Sequence, residues 1–128
     1  MKIEVSNAEL LDKVSILELK LLKIKDKEKL NNVRKELDKL NPLCKKLFKK
    51  FDSRLQNYYQ ELSAINAQLW DIEDEIREYE KNKDFGGKFT ELARSVYFTN
   101  DKRSDVKKSI NIVTSSELTE EKEYKNYN

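Results

Sequence analysis

The chain has 128 residues, of which 39% are charged and 38% hydrophobic, with two glycines and one proline. This composition is typical of long amphipathic helices and excludes a sheet built with many tight turns. The 26 basic and 24 acidic residues nearly cancel, so charge alone does not indicate a nucleic-acid-binding protein.

The first predicted helix begins after Ser6. The sequence Ser6-Asn7-Ala8-Glu9 is a capping box, in which the Ser6 hydroxyl accepts a hydrogen bond from the Glu9 amide. Apolar residues then recur every three or four positions, at Leu10, Val14, Leu17, Leu21 and Ile24. The apolar phase shifts near Asp26, which could cap a new helix. Residues 6–40 are therefore either one helix or two.

The longest predicted element is one unbroken helix over about residues 42–82. Asn41 suits an N-cap, and Pro42 suits the first helical position, where its missing N–H costs nothing. An apolar stripe follows over roughly five heptads. It includes Cys44, Phe51, Leu55, Tyr58, Leu62, Ile65, Leu69, Ile72, Ile76 and Tyr79. Gly86-Gly87 ends the pattern, and a last helix is predicted to extend to Val113.

These elements predict an all-α fold, an antiparallel bundle or coiled coil of three to four helices built on the long helix. We expect residues 1–114 to form a single domain and residues 115–128 to form a charged, flexible tail. The first half of the long helix has too few predicted neighbours to cover its apolar stripe. This shortage indicates a homodimer or a higher homo-oligomer.

The sequence also bears on location. It has neither the apolar segment of a signal peptide nor a run long enough to span a membrane. The single cysteine, Cys44, cannot form an intrachain disulfide, which fits a reducing compartment. We therefore expect a cytoplasmic protein.

No sequence motif identifies a reaction. The chain has no histidine, which removes the commonest general base and the commonest zinc ligand. Gly86-Gly87 lacks the lysine of a phosphate-binding loop. The magnesium motif of all-helical pyrophosphohydrolases has its first half in Glu75-Ile76-Arg77-Glu78, but Glu91 is followed by Arg94 rather than a second acid. We expect no metal and no cofactor, and the sequence favours a protein without catalytic activity.

One polar cluster is a candidate ligand site between the long helix and the last helix. A tryptophan wall, carboxylates and several cations would suit an anionic or sugar-bearing ligand. The candidate residues are Asn66, Trp70, Glu73, Asp74, Arg77, Arg94, Tyr97, Asn100 and Arg103. The favoured alternative is structural: Glu73 and Arg77 form an i,i+4 ion pair, and Arg103 pairs with a carboxylate across the helix interface.

Two other polar groups are interpreted as solvated helix surface. The first lies on the first helix and comprises Asn7, Asp12, Lys13, Ser15, Glu18 and Lys20. The second comprises Lys45, Lys46, Lys49, Lys50 and Arg54. The acidic residues Asp52 and Glu61 follow, and no aromatic reader is interleaved at a basic groove, so we do not expect a nucleic-acid partner.

Several stretches together resemble an uncharacterised family of short, all-helical proteins of bacteria and phages. They are Lys2-Ile3-Glu4-Val5-Ser6-Asn7, Leu69-Trp70-Asp71-Ile72-Glu73-Asp74-Glu75-Ile76-Arg77, and Glu91-Leu92-Ala93-Arg94-Ser95-Val96-Tyr97 followed by Thr99-Asn100-Asp101-Lys102-Arg103. The chain carries Ala8 and Ser115 where the family pattern has glycine. The resemblance covers nearly the whole chain, and none of its motifs names a reaction.

The Leu-Trp-x-x-Glu-Asp element is also similar to a second uncharacterised helical family. Both resemble proteins found beside glycosyltransferases of surface polysaccharide synthesis. The resemblance thus implies an interaction or accessory protein whose partner is a helix or a protein of a glycan pathway. The alternative is a protein or enzyme that binds a small ligand at the candidate cluster.

Overall fold

The computed structural model describes residues 1–51, 53–116, 118, 121, 123 and 125. It contains four helices, α1 (Asn7–Lys23), α2 (Lys27–Lys50), α3 (Ser53–Lys81) and α4 (Gly87–Val113), and no strand among the described residues. The predicted all-α class and helical bundle are confirmed. The predicted flexible tail falls mostly on residues outside the described ones.

The caps of the first two helices follow the sequence signals. The Glu9 amide donates to the Ser6 hydroxyl at 3.1 Å, and the Lys29 amide donates to the Asp26 carboxylate at 2.9 Å. Ile24 has an extended backbone at the end of α1. Residues 6–40 therefore hold two helices with a turn before Asp26, which decides between the two alternatives.

The predicted unbroken helix over residues 42–82 is wrong. Pro42 lies inside α2 with an exposed side chain, and the helix ends at Phe51, whose backbone is extended. Pro42 is tolerated there because it lies on the solvent-exposed side of α2, where the carbonyl that loses its amide partner can bond to water instead. Packing of Leu37 and Cys44 into the core on either side of Pro42 holds α2 together.

The four helices alternate in direction. Lys13 of α1 pairs with Glu36 of α2 at 2.8 Å, which places these helices antiparallel across their short turn. Asp12 of α1 contacts Asn66 of α3, while the Ala8 amide near the start of α1 meets Asn111 near the end of α4. Thus α1 lies parallel to α3 and antiparallel to α2 and α4, and it packs against all three.

The core is continuous along the bundle and is built mainly from aliphatic side chains. Its buried members are Ala8, Leu11, Val14, Leu17, Val33, Leu37, Cys44, Leu55, Leu62, Ile65, Leu69, Val106 and Ile110. Because α2 folds back and buries its own stripe against α1, the apolar surface that had indicated self-association is covered within the monomer.

The α3–α4 pair extends past the end of α1. Lys23, the last residue of α1, pairs with Asp71 at 3.5 Å, and α3 continues from there to Lys81. Beyond that level the two helices are held by each other, and the Phe85 and Phe89 rings meet edge to face at 5.2 Å near the connecting turn. Within the described part of the chain, no helix combines the length and apolar character needed to cross a bilayer.

Candidate functional site

The most buried charged group of the described residues is Asp12 in the middle of α1. Its side chain is 5% exposed and accepts hydrogen bonds from two other helices. Asn66 Nδ2 donates to Oδ1 at 2.9 Å, and Arg103 donates to both oxygens, from Nε at 3.1 Å and from a terminal nitrogen at 2.5 Å. This two-point contact fixes the distance between α1 and α4 at the level of Asn66.

Lys107 extends the cluster by one turn of α4. Its ammonium group contacts the Glu9 carboxylate and lies 3.6 Å from Asp12 Oδ2. Two carboxylates thus face two cations, so the cluster carries no net charge. Removing either partner of such a buried pair leaves an uncompensated charge, which is costly. The arrangement therefore acts first as a clamp between α1, α3 and α4.

The interpretation of the α1 polar group as solvated surface is wrong for Asp12 and Ser15, which are both buried. Ser15 accepts from Asn66 at 2.8 Å and donates to the Asp12 carbonyl. The sequence held one signal of this arrangement. The apolar stripe of α4 becomes polar at Thr99 and Arg103, and a guanidinium on a core-facing stripe requires a carboxylate opposite it. Lys13 and Glu18 of the same group are exposed, as expected.

The start of α1 is closed by the end of α4. The amides of Asn7, Ala8 and Glu9 donate to the side chains of Ser116, Asn111 and Ser6, at 3.1, 2.9 and 3.1 Å respectively. The Asn7 side chain also donates to the Thr114 hydroxyl at 3.0 Å. These amides are the usual anion-binding groups of a helix start, and here they are occupied by the protein itself.

The predicted ligand-site residues divide into separate groups. Asn66 and Arg103 meet through Asp12. Glu73 and Arg77 form an exposed i,i+4 pair at 3.7 Å, and the Arg94 Nε–H donates to the Tyr97 hydroxyl at 3.4 Å. The remaining candidates are Trp70 and Asn100, which are half-buried, and Asp74, which is exposed. The structure contains both ion pairs of the structural alternative, and ligand binding at this cluster stays a prediction.

The outward face of α4 carries an aromatic cluster. It includes Phe98, which was not predicted from the sequence as a candidate site residue. The Tyr97 and Phe98 rings lie 4.8 Å apart, and the Arg94 guanidinium lies 5.9 Å from the centre of the Phe98 ring. Tyr97 is 43% exposed and Phe98 is 38% exposed. A cation over an aromatic face is favourable, and both rings still present apolar area to solvent.

A second group lies between α1, α2 and α3. Burial, together with the charge of Glu18, raises the pKa of the Cys44 thiol to about 11. Burial, the charge of Glu18 and a side-chain interaction with the same carboxylate raise the pKa of the Tyr59 hydroxyl well above its ordinary value of 10.0. The Tyr59 oxygen is buried and makes no hydrogen bond of good geometry among the described residues. Neither group is poised as a nucleophile, because both strongly favour the protonated form at neutral pH.

The described residues include no group of three or more acidic or sulfur side chains placed to hold a metal ion. In comparisons with known proteins, the model of a family of unknown function (DUF6165) matches residues 1–127. This match confirms the predicted resemblance to an uncharacterised family. No curated protein and no solved structure matches the chain.

Proposed function

The chain belongs to the DUF6165 family, and we propose that it is a helical interaction protein that works as a homodimer through the outward face of α4. The observation that supports this proposal is the cluster of Arg94, Tyr97 and Phe98, whose rings and guanidinium contact one another at the protein surface. Tyrosine, phenylalanine and arginine are enriched in protein interfaces and are frequent hot spots there.

The order of residues along α4 supports pairing with a second copy. We place the two-fold axis of an antiparallel α4 pair between Tyr97 and Phe98. A residue 3.5 positions before the axis in one copy then lies opposite the residue 3.5 positions after the axis in the other copy. Arg94 then faces Asp101 of the partner subunit, and the same contact forms a second time by symmetry. The aromatic rings of both copies meet at the two-fold axis, flanked by two pairs of opposite charge.

This surface replaces the earlier reason for expecting a dimer. Self-association had been predicted from an uncovered first half of the long helix, but that half is divided between α2 and α3, and its residues Cys44 and Leu55 are buried in the core. The α4 surface is different, because Arg94, Tyr97 and Phe98 face away from the core side of α4, where Thr99, Val106 and Ile110 are buried. Two helices alone make a small contact, so the dimer is expected to form in the micromolar range.

Sedimentation velocity at micromolar concentration tests the proposal. The wild type is expected to sediment as a dimer, and a variant with Tyr97→Ala and Phe98→Ala as a monomer of unchanged helicity. The matched control is Phe85→Ala, which removes a ring that is more exposed than Tyr97 or Phe98. This ring packs on Phe89 at the turn between α3 and α4, outside the proposed interface. A wild type that stays monomeric at high micromolar concentration would sink the proposal.

The accessory role in surface polysaccharide assembly is the finer part of the proposal. It is supported by the resemblance to proteins found beside glycosyltransferases. A dimer with two equivalent ends could hold two copies of one glycan-pathway protein. Affinity purification from the native host, followed by mass spectrometry, is expected to recover a glycosyltransferase or a polysaccharide export protein with the wild type. Recovery of only unrelated abundant proteins would count against this role.

A further inference from the structure

We infer that the end of the bundle formed by the α2 C-terminus and residues 2–5 binds the surface of an anionic lipid bilayer. The inference rests on a surface distant from the α4 interface and does not depend on dimer formation. It combines two features that a peripheral membrane contact requires, a cluster of lysines and exposed apolar side chains beside it.

The first feature is a basic face at the end of α2. Lys45, Lys46, Lys49 and Lys50 are all exposed and are spaced so that they cover one side of the last two turns. Residues 39–60 contain six basic residues and one acidic residue, a net charge of +5 in a protein whose whole formal charge is +2. This segment therefore carries a larger positive charge than the whole chain.

The second feature is apolar surface at the edge of the same face. Leu43 is 48% exposed and lies three residues before Lys46 and seven before Lys50, one and two helical turns away. Ile3 is 77% exposed and Val5 is 51% exposed. An isolated exposed leucine is ordinary, but aliphatic side chains grouped beside lysines are what an interface with lipid headgroups buries.

The structure brings residues 2–5 next to α2. A surface cleft of about 390 Å³ is lined by Glu4 and Val5 on one side and by Leu47, Lys50 and Phe51 on the other. The Lys50 ammonium lies 5.5 Å from the centre of the Phe51 ring. Glu4 and Lys50 are the charged groups that line this cleft, and Lys46 and Lys49 lie within about one turn of Lys50 on the same helix. Val5 and Lys50 thus border the same cleft, and Leu43 lies within two turns of Lys50 along α2.

An anionic bilayer fits this surface better than a nucleic acid does. Lipid headgroups offer the negative charge that the lysines attract, and the acyl boundary accepts Ile3, Val5 and Leu43. A nucleic acid would use the lysines and the Phe51 ring, on which a base can stack. It would leave the three aliphatic side chains exposed, since these neither stack on bases nor contact phosphates. Each lysine near an anionic membrane surface changes binding by about fivefold, so three of them should change it by roughly a hundredfold.

Co-sedimentation of the full chain with vesicles tests the inference. We expect binding to mixed phosphatidylglycerol–phosphatidylcholine vesicles, little binding to phosphatidylcholine alone, and a steep loss as salt is raised. A variant with Lys46→Gln, Lys49→Gln and Lys50→Gln should lose roughly a hundredfold in partition. The matched control changes three exposed lysines near the opposite end of the bundle, Lys81→Gln, Lys83→Gln and Lys88→Gln, and should bind like the wild type.

The apolar part is tested separately with Ile3→Ser and Leu43→Ser, both at exposed positions that leave the core intact. This double variant should bind several-fold more weakly while keeping the salt dependence of the wild type. The inference is overturned if the wild type does not bind anionic vesicles, or if the control lysine variant loses as much binding as the α2 variant. It is also overturned if the Ile3→Ser and Leu43→Ser variant binds the vesicles as tightly as the wild type, because the lysines alone would then account for the binding.

Discussion

Replacing Asp12 with alanine is expected to destabilise the fold far more than removing any exposed carboxylate. The substitution takes away the acceptor of one hydrogen bond from Asn66 and two from Arg103, and it removes a carboxylate 3.6 Å from the Lys107 ammonium. The Lys107 side chain is 11% exposed, so its charge would be left in a poorly solvated position. Breaking a buried ion pair typically costs about 3–5 kcal/mol.

The expected loss for Asp12→Ala is about 3 kcal/mol, at the lower end of that range. Arg103 is 27% exposed and can turn towards solvent, and Lys107 keeps its contact with Glu9. Urea unfolding followed by circular dichroism gives the free energy directly. The matched control is Glu36→Ala, which breaks the exposed Lys13–Glu36 pair and should cost less than about 1 kcal/mol.

A second variant separates the lost ion pair from lost packing. Combining Asp12→Ala with Arg103→Met removes the charge that the single change leaves unpaired, so the double variant should be more stable than the sum of the two single changes by at least about 1 kcal/mol. If Asp12→Ala costs no more than Glu36→Ala, the clamp does not hold the three helices together. The polar cluster would then be free for another role.

Three further predictions concern the buried groups. Tyr59→Phe should raise the unfolding free energy by up to about 1 kcal/mol, because it removes a buried hydroxyl without a hydrogen-bond partner; a loss of stability would show that the hydroxyl has one. The native Cys44 thiol should react with a disulfide reagent at pH 8 far more slowly than in urea, since its pKa is raised to about 11 and the side chain is buried. The pKa of the Cys44 thiol in the folded state lies above the ordinary 9.0, so the unfolded state releases the thiol proton at lower pH than the folded state does. The free energy of unfolding should therefore fall by about 2 kcal/mol between roughly pH 9 and 11. A Cys44→Ala variant whose free energy of unfolding falls as steeply over that range would contradict this.

Local signals in the sequence predicted the helix starts well. The caps at Ser6 and Asp26 are both present, because the side chain and the amide that it accepts from lie three residues apart and need no tertiary contact. The last helix and its polar interruption at Thr99 and Arg103 were also visible. These features depend on neighbours within one turn of the helix.

The break between α2 and α3 could not be read from the apolar pattern. Leu47, Phe51 and Leu55 keep the same spacing before and after the break, so the period that identifies a helix continues through its end. A weaker signal was present: Lys49 and Lys50 in the last turn of α2 suit a helix C-terminus. Pro42 indicated that a helix begins at residue 42, because proline suits the first turn of a helix. It lies inside α2 instead, at an exposed position.

The partners of the buried charged side chains could not be predicted from the sequence, for a different reason. Arg103 was predicted to pair across the helix interface, but choosing Asp12 requires knowing that α1 lies antiparallel to α4 in one register. That register depends on packing between residues 91 positions apart in the chain, and no local pattern reports it.

The most direct test of the proposed homodimer uses the two singly charge-reversed chains Arg94→Glu and Asp101→Arg. In the two-fold arrangement each variant alone places like charges at both contacts, so each should be monomeric. Mixed together, they restore one Glu–Arg and one Arg–Asp contact, and sedimentation velocity should show a heterodimer. Two dimeric single variants, or a mixture that stays monomeric, would contradict the pairing of α4 with its copy.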